Sequence, residues 1–179
     1  MIRFKNRTPH FIVWGLLFLL VISLTFVSCG NTLTSWNSEG FKLSYDSKVF
    51  TVIASDSEFL TLELEDEDGR VDVIVSVFHP FALEQDLDDY FDAAQTAFQD
   101  EFDKITNNTK EDNLQFGVHD RRISLSGKHS GYDGVAMGLL RVMISDDTLL
   151  HVSIIGSSKT MMTYMKQVQE ILNSAEIKE

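Results

Sequence analysis

Leu60, Leu62 and Leu64 alternate with Thr61, Glu63 and Glu65, and after Asp66-Glu67-Asp68-Gly69 the same period resumes in Val71, Val73, Val75 and Val77. Successive side chains of a strand point to opposite faces, so each run has one apolar and one polar face. The short acidic break with its glycine is turn chemistry, and it folds the two runs into an antiparallel hairpin. A chain containing this hairpin must build an antiparallel sheet with at least one face lying on a core.

The flanking segments supply the rest of that sheet. Phe41, Leu43 and Tyr45 alternate upstream and are followed by Phe50, Val52 and Ile53; strand patterns return at 115–126, 134–144 and 148–155. Gly127 to Gly134 and Ser145-Asp146-Asp147 separate these as turns, and the polar run Asn107 to Asn113 reads as a loop. Between the two groups of strands the period lengthens. Leu87, Tyr90, Phe91, Ala94, Phe98, Phe102 and Ile105 recur at three and four residues, the spacing of an amphipathic helix, with Asp86, Asp88, Asp89 and Asp92 near its positive end. Met161, Met162, Met165, Val168, Ile171, Leu172 and Ala175 mark the buried stripe of a last helix that Ser158 is placed to cap. Four strands, a helix, three strands and a terminal helix predict an α+β fold: an antiparallel sheet of about seven strands covered by helices.

The N-terminal part has a different character. Arg3, Lys5 and Arg7 precede an uncharged stretch over residues 11–28, the layout of an export signal. The stretch ends at Cys29, the one cysteine of the chain, preceded by Phe26, Val27 and Ser28. This resembles a lipobox, with Phe26 where leucine is preferred. It implies that residues 1–28 are a lipoprotein signal peptide and that Cys29 carries lipid. Two or three acyl chains such as palmitate give the stable anchoring that one chain does not. The alternative is an uncleaved apolar anchor ending in a buried cysteine; both readings place the domain outside the cytoplasm, lipid-anchored or membrane-anchored. Residues 29–39 then form the lipidated cysteine and a flexible tether, and 40–179 the globular domain. Removing 28 residues leaves 151, enough for one core without disulfides or metals.

Charge excludes some partners. Of 15 Lys and Arg three precede Cys29, whereas all 27 Asp and Glu follow it, so the mature chain carries a formal charge of −15. Nucleic acid is excluded as a partner on that ground, and the domain should stand off an anionic lipid surface. A protein or small-ligand partner is expected.

The pattern and order of the elements resemble the PsbP, Mog1 and LpqN superfamily, many of whose bacterial members are lipoproteins. The local anchors are Gly40-Phe41 with Tyr45, the glycines around the middle turn, and Ile171-Leu172-Asn173-Ser174. The resemblance spans about residues 38–177. It implies an α-β-α sandwich used for binding and assembly in photosystem and envelope roles, with no shared catalytic residues.

No catalytic constellation stands out. Asp66, Asp68, Gly69 and Asp72 have four offsets of a calcium loop, but Leu64 and Val75 occupy its first and twelfth positions, so a solvated turn is expected. The acids from Glu84 to Asp92 read as a helix start and solvent face. His79, His119, His129 and His151 lack zinc-ligand spacing, and His119 with Asp120 reads as a surface pair. Gly156-Ser157-Ser158-Lys159 lacks the second glycine of a nucleophile elbow. Met137 and Met143, with the three helical methionines, read as core filler rather than a ligand groove. Asn107-Asn108-Thr109 is a glycosylation acceptor only in a eukaryotic secretory route. No cofactor, metal or catalytic residue is expected; the function is a non-catalytic binding or assembly module in the cell envelope, the alternative an enzyme whose site is scattered along the chain.

Overall fold

The computed structural model describes residues 32–79, 81–82, 86–115 and 117–178. Cys29, the export signal and the first residues of the expected tether lie outside the described residues. From Leu33 onward the chain forms one compact unit.

The expected hairpin is present. β4 (Phe59–Asp66) and β5 (Gly69–Phe78) pair in unbroken register from Phe59 opposite Ser76 to Asp66 opposite Gly69. Gly69 has φ 135°, and a Cβ there would stand 2.7 Å from the Ser157 Cβ, so glycine is required by both backbone and space. β3 (Thr51–Ser55), β6 (Lys104–Gln115), β7 (Val118–Lys128), β8 (Ala136–Ile144) and β9 (Leu149–Ser157) complete a seven-stranded antiparallel sheet in the order β3-β4-β5-β9-β8-β7-β6. β1 (Leu33–Ser38), β2 (Phe41–Asp46) and β10 (Glu176–Ile177) make a second, three-stranded sheet.

Two cores lie on the two faces of the large sheet. On one face Leu60, Leu62, Val73, Val75, Leu150 and Val152 pack under Phe41 and Leu43 of the small sheet and under Met161, Val168 and Ile171. Those last three belong to helices α2 (Ser158–Thr163) and α3 (Met165–Ser174). On the other face Ile123, Leu125, Leu140, Val142 and Ile155 pack against Phe91 and Phe98 of α1 (Leu87–Asp100) and against Phe102. Each fully buried Leu, Val, Ile or Phe contributes about 1.5–3 kcal/mol of transfer free energy, so both cores are needed. The second roof is narrower: one helix covers β9, β8 and β7, and Ile53, Ile74 and Phe78 are exposed.

Four expectations change. Asn107–Asn113 is not a loop but the middle of β6, whose side chains are almost all exposed because it is an edge strand. Residues 33–38, expected within the tether, pair along the whole of β2, and Trp36 packs edge-on against Phe41 at 5.5 Å. The seven strands of the large sheet therefore include β6, and the Phe41 strand belongs to the small sheet. The helix starting at Leu87 ends at Asp100, so Phe102 enters the core from the following turn and Ile105 lies on β6. Gly138 makes that turn fit: a Cβ on it would come within 2.8 Å of both Phe98 Cζ and Phe102 Cζ.

Candidate functional site

Arg141 and Asp120 form the base of a broad cleft at one end of the large sheet. Arg141 sits in the middle of β8, its side chain 8% exposed against 10% for Asp120. Its Nε donates to Asp120 Oδ1 at 3.0 Å and its Nη2 to Oδ2 at 2.9 Å, a bidentate pair. Nη1 donates to Ala175 O at 3.0 Å and to Leu172 O. Those carbonyls are orphan acceptors at the end of α3, so one guanidinium neutralises a carboxylate and closes a helix terminus. Arg122 Nη2 approaches Asp120 Oδ2 at 3.3 Å, while its Nη1 donates to Asn173 Oδ1 at 3.0 Å.

Above this pair Asn113, Gln115, Gly117 and Val118 of the β6–β7 hairpin, the β8–β9 turn and the C-terminal strand enclose a cleft of about 700 Å³. That is a size at which surface sites hold small ligands or single side chains of a partner. Val118, Met143, Ala175 and Ile177 give it apolar surface. In the β8–β9 turn Ser145 N donates to Thr148 O at 2.9 Å and Thr148 N to Ser145 Oγ at 3.2 Å, which holds Asp146 and Asp147 on the rim. Asp147 Oδ1 accepts from Thr148 Oγ1 at 2.9 Å and lies 3.8 Å from His79 Nδ1. Asp146 and Glu176 have no side-chain partner among the described residues, and Lys178 Nζ is 3.3 Å from Asn37 Oδ1. The floor is thus electrically closed and the rim carries carboxylates in excess.

A second concavity of about 390 Å³ lies on the open half of the large sheet, with Ile53, Ile74 and Ile155 among its lining. Tyr132 Oη donates to Asp72 and lies 2.9 Å from Ile155 O; Arg70 Nε donates to Asp72 Oδ2 at 2.9 Å. Burial, and then the bond to Asp72, push the Tyr132 phenol above its ordinary value of 10, so it stays protonated and is no base. Burial also raises the Glu101 carboxyl, an effect that His129 partly offsets. His129 Nδ1 accepts from Gly131 N at 2.9 Å and its ring packs edge-on against Phe102 and Tyr132. A carboxyl and an imidazole converge here, but the phenol and Asp72 are committed to each other.

No family model matches the chain, and no curated protein matches it. Solved structures do. The chain is similar to the solution structure of cyanobacterial PsbP (CyanoP) from Synechocystis sp. PCC 6803, with TM-score 0.55 at 15% identity, over 86% of this chain and 99% of that one. The fold is PsbP-like. A second similar structure is a Pseudomonas aeruginosa protein of unknown function, PA94, described as a putative regulator, with TM-score 0.54 at 9% identity over 82% of this chain and 98% of that one. Both likenesses are of fold.

In this PsbP-like frame the residues singled out in the sequence scatter. The acids of the β4–β5 turn dock the first turn of α2: Thr160 Oγ1 donates to Asp66 Oδ1 at 3.0 Å and Lys159 Nζ to Asp68 Oδ1 at 2.8 Å. Ser157, not Ser158, precedes the helix, and its Oγ donates to Asp68 O at 3.0 Å instead of capping. Asp86 accepts from Asp88 N at the start of α1, as expected of that acidic segment. Asp120 is not a surface partner of His119; the fold spends it on Arg141. His151 is largely enclosed, and burial lowers its pKa below 6.5. Met161 is fully buried, whereas Met162 is exposed and leaves the predicted stripe. The cleft residues Arg141, Asp146 and Glu176 carry no local motif, and the one sequence signal they offered was a lone arginine inside the apolar β8 run. Among the described residues no helix is long and apolar enough to cross a membrane.

Proposed function

We propose that this chain is an extracytoplasmic lipoprotein, held to a membrane through lipid on Cys29, whose PsbP-like domain is a non-catalytic binding or assembly module of the cell envelope. The anchor rests on the sequence: a basic start, an uncharged run and the single cysteine where that run ends. Binding rests on the end cleft. Its buried charges neutralise one another, its rim does not, and the donors of Arg141 that a developing negative charge would need are already given to Asp120, Leu172 and Ala175. Such a site recognises without reacting.

Two experiments test the reading. Cys29→Ala should abolish labelling by radioactive fatty acid and leave the precursor uncut; continued labelling would refute the anchor. A photoreactive residue in place of Gln115, on the cleft, should give a discrete adduct in intact cells, whereas the same residue in place of Ala97, exposed on α1, should not. The reverse pattern would move the binding site elsewhere. Turnover by the purified chain that disappears in Glu101→Gln or His129→Gln would replace the binding module by an enzyme working in the sheet-face groove.

A further inference from the structure

We propose that the end cleft receives a lysine- or arginine-bearing, extended segment of a protein partner; this rests on the cleft being the binding site. The buried guanidinium offers an anion no free donor. All the Arg141 nitrogens are engaged by Asp120 and by the carbonyls of Leu172 and Ala175, and Lys178 lies against Asn37. A cation finds Asp146 and Glu176 without a side-chain partner among the described residues and Asp147 beside them, on a mature chain of formal charge −15. Val118, Met143 and Ile177 line the same cleft. A lysine or arginine side chain fits that combination, because its aliphatic stem covers apolar surface while its head stays at the carboxylate rim.

An independent feature selects a segment of protein over a free amine. Asn113 and Gln115 of β6 line the cleft, and β6 is the last strand of the large sheet, paired with β7 on one side only among the described residues. Its outer row of backbone N–H and C=O groups can take an added strand. A partner segment paired there lies beside Asn113 and Gln115, with β6 and β7 between it and the β8–β9 turn, so the residues that follow the paired stretch cross the hairpin end to bring their side chains to the carboxylates.

The test uses the full chain in zwitterionic detergent micelles and a fluorescent peptide alternating threonine with lysine. Saturable binding is expected, weakened by about tenfold or more when norleucine replaces lysine, and by a similar factor in the exposed double variant Asp146→Asn, Glu176→Gln, with loss at high salt. Equal binding of the norleucine or a glutamate peptide, or no effect of the double variant, would overturn the proposal. Spermidine binding as tightly as the peptide would overturn its assignment to a protein segment. Gln115→Trp, which fills the cleft from an exposed position, separates this inference from the reading beneath it. If Gln115→Trp abolishes the cellular adduct formed from the neighbouring Asn113 position while the lysine peptide never binds, the cationic segment is wrong and the cleft stands. If the lysine peptide binds Gln115→Trp as it binds the unaltered chain, the cleft itself is wrong.

Discussion

Among the described residues two arginines are buried, one on each face of the large sheet, and they are neutralised in opposite ways. Arg121, 6% exposed, lies over the Phe91 ring at 4.6 Å from its centroid, and three carboxylates meet it from the solvent side. Asp112 approaches Nε at 2.5 Å, Asp92 Nη1 at 2.7 Å and Asp88 Nη2 at 3.6 Å, yet these acids remain 51%, 68% and 84% exposed. Arg141, by contrast, meets one carboxylate as buried as itself and two backbone carbonyls. The first arginine has replaceable partners that water still solvates. The second has a single carboxylate partner that is as enclosed as itself, so its pairing is obligatory.

Breaking that obligatory pair should give the largest effect. Asp120→Ala leaves the Arg141 charge buried with carbonyls alone, and the expected loss is about 3–5 kcal/mol in urea or thermal unfolding. The matching deletion on the other face, Asp112→Ala, leaves Asp92 and Asp88 in place and should cost about 1 kcal/mol or less. Equal losses would show that the two sites are equivalent. Salt sharpens the contrast: near 1 M NaCl the cost of Asp112→Ala should shrink toward zero, while that of Asp120→Ala persists, because screening reaches exposed charges and not enclosed ones.

A smaller effect comes from His151, on the α1 side of β9. Burial lowers its folded pKa below the unfolded 6.5, so between those two values the unfolded chain binds more protons and stability falls as pH falls. Unfolding followed from pH 7 to pH 5 should show this slope, and His151→Gln should flatten it; an unchanged slope would mean that another group is responsible. The smallest expected effect is that of calcium. Asp66 and Asp68 already hold Thr160 and Lys159, so added calcium should leave the melting temperature nearly unchanged. A saturable rise that disappears in Asp68→Ala would contradict this.

The legible parts of the fold were those whose signal is local. The Leu60 to Val77 alternation, the Phe91 and Phe98 spacing and the Ile171-Leu172 stripe each announce a buried face within a few residues. β6 escaped because an edge strand with both faces wet has no apolar period; Lys104–Gln115 is extended through hydrogen bonds to β7, which no window of its own sequence records. Leu33–Ser38 escaped for the same reason, being paired through β2 while much of it remains exposed. Phe102 continued the helical period without being helical, since an aromatic can reach the same core from a turn.

The sequence by itself determined the antiparallel α+β class, the central hairpin and its turn, and the start of the first helix, because the periods of two and 3.6 residues are properties of each segment alone; the single last helix expected from Met161 to Ala175 is broken at Tyr164 into α2 and α3. Only the tertiary structure decided where the cleft lies and what its charges are free to do. Arg141 finds its partners 21, 31 and 34 residues away along the chain. Whether Asp120 is a buried counter-ion and Asp146 a free carboxylate depends on which strands and helix ends the fold brings to that end of the sheet, since desolvation and pairing act through space and leave no period in the sequence.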